Sequence, residues 1–87
     1  MHIETFLHNC SERVEANVKW YCREKGYGFL VDQAGGPSDI FIHFSILDQV
    51  GCRGIKKGDH MMCDVLEGER GRQVSQVLSL RPSSHLP

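Results

Sequence analysis

Five short apolar runs, each cut off by a glycine-bearing turn, constrain what this chain can fold into. In the first run, from Val14 to Cys22, Val14, Ala16, Val18 and Trp20 recur at period two. The others are Gly26 to Val31, Ile40 to Phe44, His60 to Leu66, and Val74 to Leu80 with Val74, Val77, Leu78 and Leu80 apolar. Breaks fall at Gly26, Ala34 to Ser38, Gly51 to Gly58, and Gly68 to Gly71. Alternation at period two is the signature of a strand with one buried face. Five such runs separated by turn residues predict an all-β sandwich or barrel. Closure into a barrel also removes exposed strand edges. One helical turn fits at Ser45 to Gln49, with Ser45 as its cap.

A chain of 87 residues holds one small core and not two. Three sections differ in character: a head, residues 1–13, a body, 14–80, and a tail, 81–87. In the head, Ile3, Phe6, Leu7 and Cys10 fall at helical spacing, which favours a short helix over a free tail. The 40% apolar and 24% charged fractions are those of a soluble globular chain, not a disordered or fibrous one. No apolar run is long enough to span a bilayer, and the N-terminus lacks a secretory pattern, so a cytoplasmic protein without membrane contact is expected. Ten Lys and Arg against eleven Asp and Glu argue against binding duplex DNA mainly through charge. Cys10, Cys22, Cys52 and Cys63 include no closely spaced pair of the zinc-finger type, so reduced thiols and no structural metal are expected.

Six of the seven Phe, Trp and Tyr residues lie between Trp20 and Phe44. Along the second run Tyr27 and Phe29 share one strand face, and Gly28 and Leu30 the other. Along the third, Phe41 and His43 share one face, and Ile40 and Ile42 the other. The aliphatic side chains suit the core. The rings then gather on the opposite face, where an aromatic patch marks a binding surface. Unpaired nucleobases stack on such rings at about 1–3 kcal/mol each, whatever the base. The alternatives are a second core layer covered by Ile3, Phe6 and Leu7, or a dimer interface. Basic residues flank the patch: Lys19, Arg23 and Lys25 in one group, Arg53, Lys56 and Lys57 in a second, Arg70 and Arg72 in a third.

The stretch VKWYCREKGYGFLVDQ followed by SDIFIHFS resembles the bacterial cold-shock domain, with its two ribonucleoprotein motifs at Lys25 to Phe29 and Asp39 to Phe44. The likeness continues more weakly through Gly51 to Gly58 and the Gly68 to Gly71 hairpin, to about Leu80. It implies a five-stranded antiparallel OB-type barrel that binds single-stranded RNA or DNA, as an RNA chaperone or a modulator of transcription or translation. The contact residues implied are Lys19, Trp20, Lys25, Tyr27, Phe29, Asp39, Phe41, His43 and Phe44, with Arg23, Arg53, Lys56 and Arg72 as secondary basic contacts. Rings stack on bases, Lys19 and Lys25 meet phosphates or base edges, and Asp39 accepts a hydrogen bond. Tyr21 ranks lower, as a partly buried ring. Three positions depart from the family pattern. Cys22 stands for its asparagine, Cys52 for a loop aromatic and Arg72 for a hairpin proline.

The first motif also resembles the start of the RRM signature, but an RRM needs two helices that this body has no room for. Enzyme chemistry has little support. No carboxylate pair stands out, His43 has no obvious Ser or Cys partner, and residues 35–38 lack the ending of a phosphate-binding loop. His2, His8 and Cys10 make a poor metal set on a stretch with no rigid frame. No cofactor is expected. The partner is single-stranded nucleic acid, and the protein is a monomer or weak homodimer. The alternative is a protein-interaction module that uses the same face.

Overall fold

A computed structural model describes residues 12–36, 39–68 and 71–82 of the chain. The helical stripe of the head, together with His2, His8, Cys10 and Arg70, lies outside the described residues. Five strands form a closed barrel: β1 (Glu12–Cys22), β2 (Tyr27–Asp32), β3 (Ile40–His43), β4 (His60–Gly68) and β5 (Gly71–Arg81). One short helix, α1 (Phe44–Gln49), follows β3 directly. This is an all-β barrel, as the glycine-punctuated runs allow, and of the OB type that the resemblance to the cold-shock domain implies. Among the described residues, no helix is long and apolar enough to cross a membrane.

Around the ring the order is β1-β2-β3-β5-β4. Four neighbouring pairs are antiparallel, and β3 with β5 is parallel through the single registered pair Phe41 and Gln73. An odd ring cannot alternate direction throughout, so one parallel contact is unavoidable. It falls where no hairpin joins the neighbours.

The interior follows the alternation. Val14, Ala16 and Val18 of β1, Leu30 of β2, and Ile40 and Ile42 of β3 are buried. Met61, Cys63 and Val65 of β4 and Val74 and Val77 of β5 complete the wall, while Leu47 of α1 and Ile55 join from outside the strands. Removing each of the Val, Leu, Ile and Met side chains from water contributes roughly 1.5–3 kcal/mol. The thiol of Cys63 is pushed up to about 11, chiefly by burial, with the Asp64 and Asp32 carboxylates adding to the shift. Cys22, Cys52 and Cys63 are free thiols.

Two bulged strands break strict alternation. On β1 the register with β2 shifts between Val18, opposite Leu30, and Trp20, opposite Phe29. Lys19 is the extra residue, so Trp20 turns outward instead of following Val14, Ala16 and Val18 into the core. On β5 the register with β4 shifts twice, leaving Ser75 and Leu78 as the extra residues. That explains why Val74 and Val77, three apart, are both buried while Leu78 is exposed.

Helix α1 begins one residue earlier than the sequence suggests, and its cap is His43, not Ser45. The Ser45 backbone N–H donates to His43 Nδ1 at 3.2 Å. An imidazole nitrogen does the work of the usual hydroxyl or carboxylate oxygen because β3 runs into the helix without a loop.

Gly28 is the tightest point of the barrel. It lies opposite Tyr21. A Cβ here would overlap the Trp20 carbonyl oxygen and sit 2.7 Å from Tyr21 Cα, both backbone atoms that cannot swing aside. Gly28→Ala is therefore expected to lower stability by about 1–3 kcal/mol or more. Urea denaturation of the variant checks this; an unchanged midpoint would contradict the close approach.

Candidate nucleic-acid interface

Strands β2 and β3 pair with Tyr27 opposite His43 and Phe29 opposite Phe41. Directly opposed residues of an antiparallel pair project to the same side. The four side chains therefore share the outer face, and Leu30, Ile40 and Ile42 lie behind them in the core. The bulge at Lys19 adds Trp20 to the group. Its ring centroid is 5.4 Å from Phe29 and 5.7 Å from Tyr27. Phe41 lies 5.6 Å from Tyr27 and 5.7 Å from Phe29. His43 extends the row, 6.5 Å from Phe41 and 4.5 Å from Phe44.

These rings hold one another at ordinary aromatic contact distances. None belongs to the buried core. Tyr27, Phe29, Phe41 and His43 are half-buried. Trp20 is 40% exposed and Phe44 49% exposed, at opposite ends of the row. Phe44 rests on Gly26, where a Cβ would lie 2.8 Å from its ring. The Gly26 carbonyl accepts the Phe44 N–H at 2.8 Å, which fixes where the ring starts.

A cavity of about 470 Å³ opens on this face, lined by Tyr27, Phe29, Phe41, Gly71, Arg72 and Gln73. Gln73 is not among the contact residues expected from the sequence. Its exposed position before the buried Val74 was the only signal, and the parallel pairing with Phe41 that brings it to the rings is a long-range contact. Tyr21 points the other way and packs against the core. Its phenol is held above the usual range by burial first, then by the neighbouring Cys52 thiol.

His43 does have a serine beside it. Ser45 Oγ lies 2.9 Å from Nδ1, because the helix starts immediately and curls Ser45 back. With Nδ1 accepting from the Ser45 backbone, the neutral ring carries its proton on Nε2. The contact serves the helix cap.

The basic residues divide by partner. Lys19 Nζ is paired with Asp39 Oδ2 at 2.9 Å, so both predicted contact residues meet each other. Exposed pairs of this kind are worth about 0–1 kcal/mol and open readily. Arg72 is held more firmly. Its Nη2 meets Asp32 Oδ2 at 3.1 Å and Glu12 Oε1 at 3.3 Å, tying the start of β5 to the end of β2 and the start of β1. The side chains of Arg72 and Asp32 are only 14% and 10% exposed. Arg23, Lys25 and Arg53 gather around a separate cavity beside Phe44. Lys56 is exposed, and its backbone N–H donates to Asp59 Oδ2 at 2.8 Å.

The aromatic row across three strands, the Gly26 and Gly28 packing and the five-strand ring coincide with a match over residues 14–80 to the 'Cold-shock' DNA-binding domain. The chain belongs to the cold-shock domain family. It is 38% identical over 66 residues to the cold shock protein CspA of Staphylococcus saprophyticus, covering 76% of this chain and 97% of that protein. The CspA of Staphylococcus aureus strain NCTC 8325 is similar at the same identity and coverage. Nucleic-acid binding is the property of this family. The three residues expected to depart from the family pattern each have a defined place in this cold-shock barrel. Cys22 is half-buried opposite Tyr27 at the strand end. Cys52 packs on the core and its Sγ donates to the Gly54 carbonyl at 3.1 Å. Arg72 is the brace just described.

That brace is testable. Asp32→Ala leaves a nearly buried guanidinium with one exposed partner, and also removes the acceptor of the Ala34 N–H. Destabilisation of about 1–3 kcal/mol is expected. Glu12→Ala, whose carboxylate is 69% exposed, is expected to cost less than about 1 kcal/mol. Paired denaturation curves decide it; equal losses would mean that Asp32 is no anchor.

Proposed function

We propose that this protein binds single-stranded RNA or DNA by stacking successive bases on Trp20, Tyr27, Phe29, Phe41, His43 and Phe44. Contiguity is the observation that carries this reading. Rings from β1, β2, β3 and the start of α1 form one unbroken outer surface, backed by an aliphatic core that has no need of them. Each base has a π-face, so such a row accepts a strand with little regard to sequence. A duplex keeps its bases stacked on each other and offers the rings nothing.

Polar groups complete the site. The Lys19 and Asp39 pair is exposed, and a strand can replace either partner with a phosphate or a base edge. His43 Nε2–H is left as a donor once Nδ1 caps the helix. Lys25, Arg23, Arg53 and Lys56 supply positive charge, and Arg72 acts through the rim it braces. Acting as a monomer or weak homodimer in the cytoplasm, a protein of this design would hold transcripts single-stranded, as an RNA chaperone or a modulator of transcription or translation. No step of catalysis is involved.

Phe29→Ala and Phe41→Ala test the reading. Each is expected to weaken oligonucleotide binding by about 1–3 kcal/mol. The loss of stability should stay well below the roughly 3–5 kcal/mol of a fully buried Phe. Calorimetric titration alongside thermal melts separates the two effects. Collapse of the melting temperature in both variants would show the rings to be core.

A further inference from the structure

Among the described residues, the cations fall into two groups. Arg13, Lys19 and Arg72 each meet a carboxylate, so the charges of Lys19 next to Trp20 and of Arg72 beside Tyr27, Phe29 and Phe41 are already compensated. Arg23, Lys25, Arg53, Lys56, Lys57 and Arg81 form no ion pair within 4 Å among the described residues. Of these, Arg23, Lys25 and Arg53 line one cavity of about 310 Å³ together with Tyr21, Glu24 and the half-exposed Phe44. Three cations against one carboxylate leave it positive. The Arg23 side chain lies across Gly54, with Cδ 3.5 Å from where a Cβ would stand, which brings the β1–β2 turn and the Arg53 loop together.

The opposite end of the β1–β2 hairpin carries no such excess of positive charge. A cavity of about 350 Å³ there is lined by Glu12, Glu15 and Asp32 with Arg13, and Arg72 pairs with Glu12 and Asp32. A single strand carries its charge evenly along the backbone. It is drawn to the uncompensated cations more than to the end where cations and carboxylates are paired.

We infer that the Arg23–Lys25–Arg53 cavity is a phosphate subsite. It holds one phosphate of the bound strand next to the base stacked on Phe44, and the strand leaves the barrel at that end. This rests on the stacking reading above and adds to it a fixed point and a direction. Arg is suited to the role, since its planar fork of donors matches phosphate oxygens. The aromatic row then sets how many bases bind, and this cavity sets which end of the strand lies at Phe44.

The test uses short oligothymidines carrying a phosphate on the 5′ end, on the 3′ end, or on neither, titrated into the full chain by Trp20 fluorescence. One phosphorylated end is expected to bind about threefold to tenfold more tightly at low salt. The other end should give no gain. The favoured oligonucleotide should also show a steeper dependence of log K on log salt, by roughly 0.7. Replacing both arginines, Arg23→Gln with Arg53→Gln, should abolish the gain. Arg81→Gln, on the last residue of β5 and outside this cavity, should keep it. Both substitutions are at exposed positions, and a thermal melt confirms folding. Equal affinity for all three oligonucleotides, an equal gain from either end, or a gain that survives the double variant overturns the subsite while leaving stacking intact. Failure of all three to bind overturns the stacking reading and the subsite with it.

Discussion

A ring of five strands cannot alternate direction all the way round, and much of this molecule follows from that constraint. The parallel seam between β3 and β5 carries a single registered pair, Phe41 with Gln73. A seam so short puts two demands on the rest of the barrel. β1 must serve both β4, through residues 12–17, and β2, through residues 16–22. It does so by bulging at Lys19 and by closing tightly on Gly28. The barrel end beside the seam must also be held, and the Asp32–Arg72–Glu12 cluster ties three strands there.

The same devices build the outer face. The bulge that lets β1 change partners also rotates Trp20 out of the core to within 5.4 Å of Phe29. The absence of a side chain at Gly28 lets the strands beneath Trp20 and Tyr27 approach. The direct run of β3 into α1, capped by His43, sets Phe44 at the end of the row. Folding therefore fixes the platform before any ligand arrives, and the entropy cost of ordering it is not met again on binding. Along the row Lys19 and Arg72 have carboxylate partners, whereas Arg23, Lys25 and Arg53 beside Phe44 form no ion pair among the described residues.

The aromatic face was legible in the sequence wherever alternation is undisturbed. Tyr27, Phe29, Phe41 and His43 face outward, and Leu30, Ile40 and Ile42 inward, as a period of two requires. Trp20 was not legible that way. Period two places it with Val14, Ala16 and Val18, and only resemblance to the cold-shock family placed it among the contacts. A bulge is a response to the neighbouring strand, which a local pattern does not contain. The paired burial of Val74 and Val77 was hidden for the same reason. Arg72 read as one of a basic pair with Arg70 and a secondary contact, and its role as a brace was hidden because its partners lie 40 and 60 positions away. Ser45 read as a helix cap because serine usually is one, and the chain used the histidine two residues earlier.

The central claim is that the exposed rings receive unpaired bases. Trp20, the only tryptophan, sits among them and reports on the claim directly. The deciding measurement is a fluorescence titration with a single-stranded oligothymidine and, separately, with the same strand annealed to its complement. Strong quenching that saturates with the single strand, and little response to the duplex, is the predicted result. Equal quenching by both, or none by either, would contradict the account.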